Sequence, residues 1–151
     1  MYNRSYSDTM NAYTAQYYTL YPYSTTNLVD YENLRSVYLD LIFNPLLRTY
    51  DFRQEGWRLE HTDPRDPSTP IIFKGVVFNE MKGVLSNAAS YYREEFQEHM
   101  YKHTIYGVNS GGNPLDILDL TSQQLRSFHD SHYHPSNSKS VTYGSLHSQN
   151  I

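Results

Sequence analysis

A single glutamate within an apolar stretch is the first candidate for chemistry. Glu80 lies in "FNEMKGVLSN" and falls, on a helical wheel, one step from a stripe that contains Val77, Met81 and Val84. A carboxylate at the rim of an apolar face is costly unless a metal ion, an arginine or backbone N–H groups compensate it. A rim glutamate that turns to solvent is the commoner case, so the pattern alone favours no special role.

Three histidines in "FHDSHYHPSN" are the second candidate. His129 and His132 are three residues apart and share a helical face, so with His134 they could bind a metal. However, His134 precedes Pro135, where a helix has already stopped, and no acidic residue or cysteine completes a set of ligands. Histidine is also favourable at a helix C-terminus for electrostatic reasons. The sequence therefore favours a structural role for all three over a zinc site.

Two other patterns are weaker. The stretch "NSGGNP" lacks the Lys and Ser/Thr of a phosphate-binding loop, so a tight turn is the better interpretation. A Ser-His-Asp triad could be assembled from so many serines, but no Gly-x-Ser-x-Gly elbow occurs.

Composition excludes several classes of protein. The 151 residues suffice for one domain, and 16 acidic against 12 basic residues without a basic stripe argue against nucleic-acid binding. No cysteine is present, so disulfides and thiolate metal sites are excluded. No apolar run approaches membrane-spanning length, and the first residues resemble neither a signal peptide nor a transit peptide.

The elements that must position these residues are those of an α+β domain. Period-two alternation predicts a strand over residues 11–24, and the 16 tyrosines are explained by sheet packing. Helical spacing predicts further elements, as does turn chemistry. The first is a helix over 25–47, capped by Thr26 or Asn27 and ended by Pro45, and short strands follow at 57–61 and 71–78. A helical stripe then comprises Phe73, Val77, Met81, Val84 and Ala88. The rest of the chain is predicted as a helix over 87–103, a loop at 107–114, a helix over 116–133 with a capping box from Thr121 to Gln124, and a strand over 138–146.

Five stretches occur in an order that resembles a known family. They are "MNAYTAQYYTLYPYST", "DFRQEGWRLEH", "FKGVVFNEMKG", "YGVNSGGNP" and "FHDSHYHPSN…TYG". Together they closely resemble the presequence protease branch of the pitrilysin/insulinase zinc metallopeptidases, over residues 3 to 144. The resemblance implies part of a pitrilysin-type two-layer domain, in which an antiparallel sheet packs against helices.

The resemblance also implies a zinc site. In this family two histidines and a general-base glutamate come from one His-x-x-Glu-His helix, and a distant downstream glutamate is the third zinc ligand. Glu80, in "FNEMKG", matches that third ligand. The "HYHPSN" histidines match a helix-to-strand junction instead of the zinc site.

The strand that begins "NAYTA" matches the family's substrate-pairing strand, where the backbone of a peptide adds as an extra strand. Asn11 and Ala12 are the implied substrate-binding positions. This sequence departs from the family after "TA", where "QYY" replaces a stretch that is often acidic.

No His-x-x-Glu-His occurs in the sequence. We therefore expect residues 1–151 to be a single partial catalytic domain that lacks the upstream zinc-binding helix and all downstream domains. We expect this chain alone to be inactive and not to bind zinc, with peptide substrates and the remaining domains of the protease as its partners. The resemblance implies the mitochondrial matrix, although no targeting segment is evident. The alternative is a non-catalytic peptide-binding module that uses an exposed edge strand.

Overall fold

A computed structural model describes residues 6–145, and its fold class is α+β as predicted. The strands are β1 (Ser7–Met10), β2 (Tyr13–Thr14), β3 (Thr19–Leu20), β4 (Tyr23–Thr25), β5 (Arg58–His61) and β6 (Ile71–Lys74). The α-helices are α1 (Leu28–Phe43), α2 (Thr49–Glu55), α3 (Val76–Leu85), α4 (Ala88–Met100), α5 (Pro114–Ile117) and α6 (Ser122–His132). Two 3-10 helices, Ile105–Gly107 and Pro135–Asn137, complete the secondary structure of this range. Over the same range no helix has the length and apolarity that a membrane span requires.

The first four strands form one long, interrupted β-hairpin. β1 pairs with β4 and β2 pairs with β3, both antiparallel, and the N–H of Asn11 donates to the carbonyl of Pro22 at 3.2 Å between the two ladders. The chain reverses at its tip, where Ala15 N–H donates to Tyr18 O at 2.9 Å. The prediction of a single strand over 11–24 was therefore wrong. The alternation of Tyr and Thr fits two short strands as well as one long strand, so periodicity could not reveal the reversal.

Helix α1 begins and ends where the sequence predicts. The side-chain Oδ1 of Asn27 accepts a hydrogen bond from Asp30 N at 3.0 Å, which satisfies one of the free N–H groups of the first turn. Leu34 in this helix is fully buried, and α1 packs against β4 of the hairpin. The helix stops at Asn44, before Pro45.

The second antiparallel pair, β5 and β6, leads directly into α3. Strand β5 confirms the predicted strand at 57–61, whereas the strand predicted over 71–78 ends at Lys74, and Gly75 begins a helix. Glu60 joins the pair through its side chain, with Lys74 Nζ at 2.7 Å and Arg58 Nη2 at 2.6 Å. The loop between the strands contains three prolines, Pro64, Pro67 and Pro70.

The single helix predicted over 116–133 is wrong, because α5 ends at Ile117 and α6 begins at Ser122, and α6 carries the predicted cap. Thr121 Oγ1 accepts from Gln124 N at 3.2 Å, and Gln124 Oε1 accepts from Thr121 N at 2.8 Å, which together form a capping box. The strand predicted over 138–146 is absent from 138–145, where Val141 and Tyr143 are exposed, and residue 146 lies outside the described residues. Thr and Tyr have high strand propensity, but a strand forms only with a neighbour to pair with.

The three strand pairs do not join into one sheet over residues 6–145, and the apolar core is small. Leu34, Phe78 and Ile117 are the buried hydrophobic residues in this range. The accessible surface is 12055 Å², whereas a compact chain of this mass exposes about 8000 Å². Much apolar surface of the helices and of the hairpin therefore remains uncovered.

Candidate functional site

Glu80 lies on the exposed side of α3. The helix buries Phe78 and half-buries Met81 and Leu85, which are three and seven residues further along and so form one face. Val77 and Val84, predicted to line the same apolar stripe as Met81, are instead 39% and 40% exposed. The helix is apolar on more than one side, so the wheel alone could not identify the buried face.

The surroundings of the Glu80 carboxylate are apolar and open. Val76, Val77, Gly83 and Val84 are its neighbours one turn before and after on the helix, and all four are exposed. Glu80 makes no hydrogen bond or ion pair with any residue in 6–145. It is thus a free carboxylate on an uncovered apolar surface, available to a metal ion or a donor carried by another element.

One carboxylate cannot hold zinc, which takes three or four protein ligands. No group of three or more His, Cys, Asp or Glu residues within the described part of the chain could hold a metal ion. The Glu80 carboxylate, which is exposed and unpaired within residues 6–145, could supply one ligand of such a set. The first two ligands have no counterpart beside it among residues 6–145.

Close backbone packing fixes the start of α3 and hence the position of Glu80. A Cβ built on Gly75 would lie 1.9 Å from the carbonyl oxygen of Gly56, so only glycine fits there. Phe78 N–H donates to the same Gly56 oxygen at 3.4 Å. The ring of Phe73 packs between Trp57 and Phe78, with centroids 6.1 and 6.0 Å apart. The N-terminal turn of α3 is therefore held against residues 56–57, between α2 and β5.

Asn11 and Ala12 are exposed and lie between β1 and β2 in the hairpin. Asn11 bonds across the hairpin to Pro22, and its own Oδ1 accepts from Ala12 N at 2.8 Å. The outer edge of this strand has no strand neighbour in the described range. No hydrogen bond, ion pair or ring contact there joins Asn11 or Ala12 to Glu80. Glu80 and the pair Asn11 and Ala12, which the resemblance implies for metal binding and substrate binding, are thus not in contact with each other within residues 6–145.

An apolar groove of about 520 Å³ adjoins Asn11 and Ala12. It lies between the hairpin, the C-terminal half of α1, and α6. Its lining comprises Met10, Asn11, Ala12, Tyr21, Tyr38, Leu41, Ile42, Pro45, Leu47, Leu125, Phe128, His129 and Tyr133. Within residues 6–145 no Asp, Glu, Lys or Arg lines it, so the groove favours apolar contents.

Each histidine of the cluster has a structural partner. His129 Nε2–H donates to Ile42 O at 2.8 Å, near the end of α1, and its ring stacks on Tyr133 with centroids 4.5 Å apart. His132 Nδ1 lies 2.9 Å from Phe128 O, one turn earlier, and its ring stacks on Phe128. His134 Nδ1 accepts from Ser136 N at 3.2 Å and caps the 3-10 helix. The structural interpretation of the three histidines agrees with these contacts.

Sequence reasoning missed a tyrosine pair beside the groove. Tyr21 and Tyr133 share an O–H···O hydrogen bond of 2.7 Å although they are 112 residues apart. Burial, and then the hydrogen bond to Tyr133, raise the pKa of the Tyr21 hydroxyl above its usual range. Neither position has a spacing signal that could have revealed the pair.

Nearly the whole chain is similar in sequence to one segment of a group of curated proteins. A protein of Danio rerio named "Presequence protease, mitochondrial" is 57% identical over 146 residues, which are 97% of this chain and 14% of the relative. Proteins of the same name from Mus musculus and Schizosaccharomyces pombe are 56% and 54% identical over equal shares of this chain. The resemblance predicted from the five stretches is therefore confirmed. The chain spans only 14–15% of the length of these relatives. No protein-family model matches it.

Proposed function

Because this chain is related over 97% of its length to one segment of the mitochondrial presequence proteases, we propose that it is a segment of a zinc-dependent metalloendopeptidase. Its substrates are short peptides such as cleaved mitochondrial presequences, and its location is the mitochondrial matrix. The single observation that carries the proposal is the identity of 54–57% to proteins of that name.

Glu80 is the third zinc ligand in this proposal. Its carboxylate is unpaired within residues 6–145 and is held on a helix whose start is fixed against Gly56. When bound, zinc lowers the pKa of its water and polarises the scissile carbonyl. The remaining two ligands and the general base belong to a His-x-x-Glu-His motif that this sequence does not contain. The 151-residue chain alone is therefore inactive as a peptidase.

Asn11 and Ala12 pair with the backbone of the peptide substrate. Their strand has a free outer edge among the described residues, and main-chain hydrogen bonds at such an edge bind extended peptides with little dependence on sequence. Among the described residues, no Asp, Glu, Lys or Arg lines the adjoining apolar groove.

The remaining domains of the protease cover the apolar surface of this segment. The accessible surface exceeds that of a compact chain by about half, and exposed apolar residues include Val77, Leu41 and Phe128. Large uncovered apolar patches mark interfaces in soluble proteins.

A chimera tests the proposal directly. This chain replaces the matching 146-residue segment of the zebrafish relative, and hydrolysis of a fluorogenic peptide is measured together with bound zinc by atomic emission. We expect the chimera to be active. Glu80→Gln should reduce both the zinc content and the rate of hydrolysis. The reduction should exceed the roughly 10–100-fold loss that follows when a residue hydrogen-bonded to a metal ligand is removed. Glu98→Gln, at an exposed position on α4, is the matched control and should change neither. A Glu80→Gln chimera that keeps its zinc and its activity would exclude Glu80 as a ligand.

The second candidate is a non-catalytic module that binds peptides at the free hairpin edge. The observation that favours it is the unpaired outer edge of the strand that contains Asn11 and Ala12, within residues 6–145. The 151-residue chain should then be a soluble monomer that binds extended peptides. Aggregation of the isolated chain, measured by light scattering, would instead support the proposal that the chain is a segment of a larger peptidase. An open strand edge and an uncovered apolar surface promote association.

A further inference from the structure

The hydroxyl pair of Tyr21 and Tyr133 adjoins the proposed peptide-pairing positions, Asn11 and Ala12. In the hairpin, Tyr13 pairs with Leu20 and Asn11 bonds to Pro22, so Ala12 lies opposite Tyr21. Tyr21 is thus the cross-strand neighbour of one of the two residues assigned to substrate binding. Any contact that fixes Tyr21 also restricts Ala12.

Tyr21 is held from outside the hairpin. Its hydroxyl lies 2.7 Å from that of Tyr133, and the two rings meet edge to face with centroids 6.4 Å apart. Tyr133 follows directly after α6, and its ring stacks on His129, which in turn donates to Ile42 O of α1. A continuous set of contacts therefore runs from Ala12 through two tyrosines and a histidine to two helices.

This support is specific to one section of the hairpin. Asn11 and Ala12 lie outside both ladders, where cross-strand support comes from the single bond from Asn11 N–H to Pro22 O. Pro22 has no N–H and cannot return a hydrogen bond. The section proposed to pair with substrate is therefore the section with least support from its own ladder.

We infer that Tyr21 and Tyr133 are positioning residues, which hold Asn11 and Ala12 in the extended conformation that accepts a peptide strand. The inference rests on the proposed function, because it concerns the same strand. The hydroxyl–hydroxyl bond ties the hairpin to the end of α6, so a peptide binds a strand that is already ordered. Pre-ordering raises affinity because binding no longer has to immobilise that strand.

Hydrogen exchange of the Asn11 amide, followed by NMR in the 151-residue chain, tests the inference. Tyr21→Phe and Tyr133→Phe each remove only a hydroxyl group. We expect each to raise the Asn11 exchange rate about five-fold, which corresponds to one hydrogen bond of about 1 kcal/mol. The double variant should raise the Asn11 exchange rate no more than either single variant does, because both substitutions remove the same hydrogen bond. Tyr13→Phe is the matched control, since Tyr13 lies in the same hairpin and its hydroxyl has no hydrogen-bond partner in the described range.

The second measurement is the affinity for a fluorescein-labelled peptide of alternating valine and lysine, by anisotropy. We expect the two Phe variants to bind about five-fold more weakly and the Tyr13→Phe variant to bind as the natural chain does. Unchanged Asn11 exchange in both Phe variants would overturn the inference. So would an equal rise for amides in α3 and α4, since the pair would then stabilise the whole chain. If the natural chain binds no peptide while Asn11 exchange rises as expected, the pairing function fails and the anchoring of the strand stands.

Discussion

The α-carbon of Gly75 packs against the carbonyl oxygen of Gly56, and a Cβ at Gly75 would lie 1.9 Å from that oxygen. The obstacle is backbone and not the end of a flexible side chain, so relief requires the Gly56–Trp57 backbone, between α2 and β5, to move away from α3. The same Gly56 oxygen accepts from Phe78 N–H, within the first turn of the helix. This contact sets where α3 begins, and through it where Glu80 lies.

Gly75→Ala should therefore destabilise the fold. We expect a loss of about 1–3 kcal/mol in the free energy of unfolding, because an inserted methyl group must displace tightly packed atoms. Urea unfolding followed by the fluorescence of Trp57, the single tryptophan, measures it.

Gly83→Ala is the matched control for that variant. Gly83 lies in the interior of α3, and nothing lies within 4 Å of the position its Cβ would take. Alanine there should stabilise the chain by about 0.5–1 kcal/mol, since it lowers the entropy lost on folding. Equal effects of the two substitutions would contradict the close approach at Gly75.

Glu80→Gln should leave the stability of the 151-residue chain within about 0.5 kcal/mol of its natural value. The carboxylate is exposed and pairs with no residue in 6–145, so neutralising it removes no contact that the structure shows. Thermal unfolding monitored by circular dichroism checks this. A large stabilisation or loss would mean that Glu80 interacts with groups of this chain, which would weaken its assignment as a free ligand.

Local signals in the sequence predicted several helix boundaries because caps and breakers act over a few residues. They did not predict α2 or the division between α5 and α6. Asn27, Thr121 and Pro45 each begin or end a helix where their chemistry requires. The predicted strands were less accurate, since a strand depends on a partner that local sequence does not specify. Residues 15–18 reverse the chain within the expected strand, and residues 138–145 find no partner in the described structure.

The candidate site could be predicted only in part, for a related reason. Glu80, Asn11 and Ala12 were identified because short stretches around them resemble a known family. Tyr21 and Tyr133 could not be found, since their bond depends on how a hairpin and a distant helix end pack together. The buried face of α3 was also misjudged: valines lie on both sides of it, and contact with Gly56, at the end of α2, selects the side of Phe78.

His129→Ala should destabilise the chain by about 1–2 kcal/mol. The substitution removes the donor to Ile42 O and the ring that stacks on Tyr133, and so leaves a carbonyl near the end of α1 without that partner. His132→Ala, at an exposed position on the same helix, should cost less. Urea unfolding of the two variants measures the difference, and a larger loss for His132→Ala would contradict the role of His129 as the link between α1 and α6.

Zinc should not bind the histidine cluster. His129 Nε2 is engaged by Ile42 O, and His134 Nδ1 is engaged by Ser136 N. Isothermal titration of the 151-residue chain with zinc chloride should show no affinity that is lost in both His132→Ala and His134→Ala. An affinity that these two variants abolish and Glu80→Ala retains would restore the cluster as a metal site.

Glu60 should make the stability of the chain depend on pH in the acid range. The Lys74 ammonium, followed by the Arg58 guanidinium, holds the pKa of the Glu60 carboxyl below its usual value. A carboxyl whose pKa is lower in the folded state stabilises that state above its unfolded pKa, which is about 4.3. This contribution is lost as the pH falls below that value and through the lower pKa of the folded chain.

Glu60→Gln should therefore be less stable than the natural chain at pH 7, and the difference should shrink as the pH falls towards 3. Urea unfolding at a series of pH values measures it, with Glu98→Gln as the control, because Glu98 pairs with no residue in 6–145. A difference that stays constant from pH 7 to pH 3 would show that Glu60 acts through packing and not through its charge, since packing does not change when a carboxyl takes up a proton.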